Sequence, residues 1–88
     1  MRYFELPEST HFSCSFPIGN NIYRAEFRTL SGSKKQIWTV RDQEGNELFK
    51  NIYAVTKINY ADLFGGFPEN VTLMIVVFEG KRYVATEG

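Results

Sequence analysis

The sequence predicts an all-β fold: a small antiparallel β-barrel or barrel-like sandwich of about six to eight short strands, with one short helical turn near residues 59–64. Three observations carry this. Turn signals recur at short spacing, at Ile18-Gly19-Asn20-Asn21, Ser31-Gly32-Ser33, Asp42 to Asn46, Gly65-Gly66 and Glu79-Gly80. Between them apolar and polar residues alternate with period two, the signature of a strand with one face in a core. Only Asn59 to Gly66 combines an N-cap candidate, one-turn apolar spacing and a glycine stop.

Taken in order, a first strand places Phe12, Cys14 and Phe16 on an inward face, against His11, Ser13 and Ser15 outside. From Ile22 to Thr29, Tyr23, Ala25 and Phe27 alternate with Arg24, Glu26 and Arg28. Gln36 to Arg41 returns with Trp38 and Val40 inward, so the two strands form a central antiparallel hairpin. Gly45 sits where a type I turn is followed by a left-handed residue, a conformation that glycine adopts without a Cβ clash. Two short strands, about Asn46 to Phe49 and Ile52 to Thr56, follow. Leu63 is the apolar residue that the helical turn brings to the core. Thr72 to Phe78 is apolar on both faces, Leu73, Ile75 and Val77 opposite Met74, Val76 and Phe78. Such a strand is central, or is covered by a partner or by the helical turn. Lys81 to Thr86 is the last strand. The expected core is therefore Phe12, Phe16, Tyr23, Phe27, Trp38, Val40, Leu63, Leu73, Ile75 and Val77.

The 88 residues make one small β domain, residues 1–88, with 43% hydrophobic side chains and ten acidic against ten basic ones. Zero net charge provides no basic field for a phosphate backbone, so no nucleic-acid partner is expected. The longest apolar run, Leu73 to Phe78, is six residues against the roughly twenty of a membrane helix, so no membrane insertion is expected. One cysteine cannot form an intrachain disulfide, and nothing at Met1 to Pro7 resembles a signal peptide, which points to a reducing intracellular compartment at synthesis.

Catalytic chemistry is thinly represented, and the expectation is a protein without enzymatic activity. His11 and Cys14 are three apart, which on a strand sends them to opposite faces and prevents a thiolate–imidazole pair. One Cys and one His cannot supply four zinc ligands, and no cofactor motif is present. Asp42 and Asp62, the only aspartates, sit at turn and first-turn positions that explain them. Arg24, Glu26 and Arg28, on the outward face of the hairpin, are the candidate partner-contact surface, while Lys34-Lys35 marks a soluble loop tip.

In their order, these marks resemble the small baseplate plug proteins of contractile-tailed bacteriophages and prophage tails. The resemblance is carried by Leu6-Pro7 before the first alternating strand, Tyr23 to Arg28, Trp38 on the return strand, and Asp42, Gly45 and Asn46 at the turn. It continues through Leu48 to Val55, Asn59 to Phe64, Gly66 and the apolar Val71 to Val77, covering about Leu6 to Val84. Thr29-Leu30-Ser31 replaces an asparagine usual in the family, and Glu79-Gly80 is a shorter turn than usual. What the resemblance implies is a non-enzymatic virion structural protein, made in the bacterial cytoplasm and located in a virion tail or prophage tail particle. Its partners there are other tail or baseplate hub proteins, or further copies of itself in a homo-oligomeric ring, with no cofactor or metal. The residues alone leave a second reading open: a small β-barrel binding module for a peptide, an oligosaccharide or a single-stranded nucleic acid, using the region of Arg24, Arg28 and Trp38.

Overall fold

The computed structural model describes all 88 residues. Seven strands and one helical turn follow in the order β1 (Arg2–Glu5), β2 (His11–Ile18), β3 (Asn21–Thr29), β4 (Gln36–Arg41), β5 (Glu47–Tyr53), α1 (Tyr60–Leu63), β6 (Thr72–Phe78) and β7 (Lys81–Glu87). They form two antiparallel sheets, one of three strands ordered β1-β7-β6 and one of four ordered β2-β3-β4-β5. The architecture is a sandwich and not a closed barrel.

The inner faces meet in one core. Phe16, Tyr23, Phe27, Trp38, Val40 and Phe49 from the larger sheet pack with Leu73, Ile75 and Val84 from the smaller, closed by Leu6, Tyr60 and Val71. Aromatic rings organise its centre: Trp38 stacks on Phe27 at 5.0 Å and meets Tyr60 edge-on at 4.9 Å, arrangements that ring quadrupoles favour. Phe12 is half-buried, stacked on Phe27 at 4.9 Å at the core margin.

Gln36–Arg41 and Thr72–Phe78 coincide with the predicted strands, and Asn59 caps α1 with its side-chain oxygen 3.1 Å from the Ala61 N–H. At the β4–β5 turn the Asp42 carboxylate accepts from the Glu44 and Asn46 N–H groups, and Gly45 takes φ +87°. Gly66 has two requirements at once: φ is +94°, and a Cβ there would lie 2.7 Å from Leu48 Cδ2.

Four expectations are corrected. The two strands predicted between Asn46 and Thr56 are one, β5, bent by bulges. Val40 faces Phe49 and Trp38 faces Ile52, so Thr39 alone opposes Lys50 and Asn51. Asn51 sits at φ 53° and its N–H donates to Thr39 Oγ1 at 3.0 Å instead of to the strand ladder. Second, of the alternatives for Thr72 to Phe78, a central strand or a covered one, the central placement is overturned: β6 is an edge strand and β7 the central one. Asn59 and Thr56 partly cover its free edge, through the Leu73 N–H to Asn59 Oδ1 bond (2.9 Å) and a parallel bridge from Thr56 to Ile75. Third, Leu63 is 60% exposed. A four-residue helix buries one side only, and Tyr60 takes it, with Phe64 stacked on Phe49 at 4.8 Å. Fourth, Val77 is 56% exposed although in phase with Leu73 and Ile75, because its cross-strand neighbour is Arg82 at the polar end of the sandwich.

Candidate functional site

Two outer sheet faces of opposite character remain after the core is filled. On the four-stranded sheet, β3 presents Arg24, Glu26 and Arg28 outward, as alternation requires. The register places Glu26 between Ser13 and Thr39, and Arg28 between His11 and Ile37. Glu26 is the hub of an ion network: His11 Nε2 lies 3.0 Å and Arg41 Nη1 4.0 Å from its carboxylate, and Arg41 Nη2 reaches Glu47 at 2.9 Å. The hydrogen bond from His11, with the Arg41 and Arg28 charges behind it, holds the Glu26 carboxyl below the usual carboxylate range. Arg24 donates to Ser13 Oγ at 3.3 Å. The three predicted contact residues are thus brought together on one face, where Glu26 is held in the network and Arg24 and Arg28 have no carboxylate paired to them.

Trp38 is 1% exposed and cannot serve as a surface aromatic for a ligand. His11 lies on this outer face and Cys14 on the inner one, where burial raises the thiol pKa and keeps it protonated. No three His, Cys, Asp or Glu side chains gather as a metal-holding group, and no helix is long and apolar enough to cross a membrane.

The smaller sheet differs. Because Leu73, Ile75 and Val84 point inward, Met74, Val76 and Phe78 on β6 and Tyr83 on β7 point outward with Tyr3 on β1. Met74 lies level with Ala85 and Tyr3, and Val76 with Tyr83 and Glu5. The Tyr3 and Tyr83 rings meet edge-on at 6.3 Å. Tyr3 is 59% and Phe78 65% exposed, while Met74, Val76 and Tyr83 are half-buried. Charge enters at the rim, where Lys81 pairs with Glu5 at 3.7 Å. An apolar sheet face with a charged rim is a surface built for another surface. The doubly apolar pattern of β6 signalled it; β1 carried no such sign, since its partner β7 lies at the other end of the chain.

Fold and faces together define a seven-stranded antiparallel β-sandwich with one polar and one apolar outer sheet. No protein-family model, curated protein or solved structure matches the chain.

Proposed function

We propose that the protein is a non-enzymatic structural component of a phage or prophage tail, a baseplate plug or hub-associated protein that works through protein–protein contacts. The observation that supports this most is the apolar outer face of the three-stranded sheet. Tyr3, Met74, Val76, Phe78 and Tyr83 stay in contact with water in the single chain, at a cost that a covering partner removes. The resemblance of the sequence to baseplate plug proteins supplies the kind of partner, a hub or baseplate protein of the tail. The apolar face, and not the Arg24, Glu26 and Arg28 face, is the docking surface in this reading, because its side chains gain by leaving water, whereas on the latter face Glu26 is already held by His11 and Arg41 and the arginines are well hydrated at the surface.

The test is a Tyr3→Glu/Val76→Glu double variant, expressed in place of the wild type during particle production. The expected result is an isolated domain that still melts cooperatively but is missing from purified tail particles. Incorporation at the wild-type level by that folded variant contradicts the assignment of the face.

A further inference from the structure

At one end of the sandwich, three cations from distant parts of the chain line a single groove of about 440 Å³. Lys34 and Lys35 come from the β3–β4 loop, Arg82 from β7, and Tyr53, Ala54 and Val55 from the end of β5. No carboxylate is among the lining residues. The loop is held in place: the Lys35 N–H donates to Ser33 Oγ at 3.0 Å, and the Leu30 N–H to the Lys35 carbonyl at 2.9 Å. Lys35 Nζ stands 5.5 Å from the Tyr53 ring centroid.

Arg82 is the informative member. Its guanidinium is half-buried, and burial lowers its pKa from the ordinary arginine value. It donates to Gln36 Oε1, a neutral acceptor, and is paired with no carboxylate. On its other side Glu5 and Glu8 line an adjoining groove, but Glu5 is engaged by Lys81. The rest of its N–H fork has no partner within the protein and opens toward the groove's solvent, where an incoming anion can meet it.

We propose that this groove is a binding site for an acidic segment of a partner protein, its carboxylates held by Arg82, Lys34 and Lys35. A carboxylate matches the planar fork of Arg82 bidentately, and the lysines supply two further positive charges. Tyr53 and Val55, both exposed on one wall, receive the apolar side chains that neighbour the acids in the segment. Zero net charge disfavours a nucleic-acid strand, which needs an extended positive field to draw its phosphates. The groove is separate from the apolar outer face, so its test is independent of the tail reading.

The experiment is an amide NMR titration of the chain with a blocked peptide of alternating glutamate and leucine. The expected result is saturable shifts centred on Lys34, Lys35, Gln36, Tyr53, Val55 and Arg82, weakening as salt is added. The exposed-loop double variant Lys34→Gln/Lys35→Gln, whose spectrum reports that it is folded, is expected to weaken the affinity about tenfold or more. Arg82→Gln does the same wherever it remains folded. Three outcomes overturn the proposal: an equal response to the same peptide with glutamine for glutamate, shifts spread equally over Lys50 and Lys57, or unchanged affinity in the lysine variant. Parallel titrations use inorganic phosphate and a thymidine oligonucleotide. Saturation of the groove by either without saturation by the peptide overturns it too, and reassigns the site to phosphate.

Discussion

Asn59 carries more structure than its size indicates. Its Oδ1 accepts from the Ala61 N–H, capping α1, and from the Leu73 N–H on the edge of β6, while Nδ2 donates to the Val71 carbonyl at 3.3 Å. Asn59→Ala removes all three bonds and is expected to cost about 1–3 kcal/mol. Asn59→Asp keeps the acceptor and is expected to lose less than half as much, a difference that denaturant titration measures. Trp38 is enclosed by Phe27, Phe49 and Tyr60, so Trp38→Ala is expected to cost about 3–5 kcal/mol; a loss on the scale of an ordinary surface substitution, about 0.5 kcal/mol, contradicts its core placement. Asp42 gives a pH dependence. Its pKa is lowered first by the Asn46 side-chain hydrogen bond and then by backbone N–H groups of the turn. A carboxyl lowered in the folded state stabilises the fold above its unfolded value and ceases to as pH falls through the folded one. Denaturation midpoints are therefore expected to fall on acidification below about pH 4, and Asp42→Asn to flatten that fall. A midpoint that rises on acidification contradicts the role of the turn carboxylate.

At the scale of elements, β2, β3, β4, β6 and β7 were legible in the sequence, whereas β5 was divided and β1 was missed. The β3–β4 hairpin follows from period two, and the β4–β5 turn from Asp42 and Gly45. β5 was divided because its bulges place Phe49 and Ile52, three apart, on the same face, which breaks the alternation a strand is recognised by. β1 was missed because its register with β7, Arg2 to Thr86 through Glu5 to Tyr83, spans the whole chain and leaves no local mark. The apolar pattern of β6 left a central strand and a covered one as alternatives; β6 lies at the sheet edge, and only one of its faces enters the core. The cationic groove was hidden for the reason that hid β1: Lys34-Lys35 reads as a loop tip, and Arg82 reaches it from 46 residues beyond Gln36. The bulge is testable by backbone preference. Asn51 holds φ 53°, a region asparagine tolerates and β-branched residues avoid. Asn51→Gly is expected to be close to neutral, and Asn51→Val to cost about 1–2 kcal/mol, both read by thermal unfolding.

At the scale of the whole molecule, the sandwich divides its roles by surface. One sheet faces water through a charge network centred on Glu26, the other presents an apolar face, and one end holds a groove of unpaired cations. A chain of this size has little core to spare, since a small domain buries only about 60% of its unfolded surface, and leaving Tyr3, Val76, Phe78 and Tyr83 uncovered makes physical sense when something else covers them. Copies of the chain packed in a ring and a tail protein both meet that need; the proposal is the tail protein. The most direct test of the tail proposal is quantitative mass spectrometry of tail particles purified from an induced lysate of the source organism, or of purified virions. The expected result is the chain in fixed proportion to the hub proteins. Its presence only in the soluble fraction, with every other tail protein in the particle, contradicts the tail assignment.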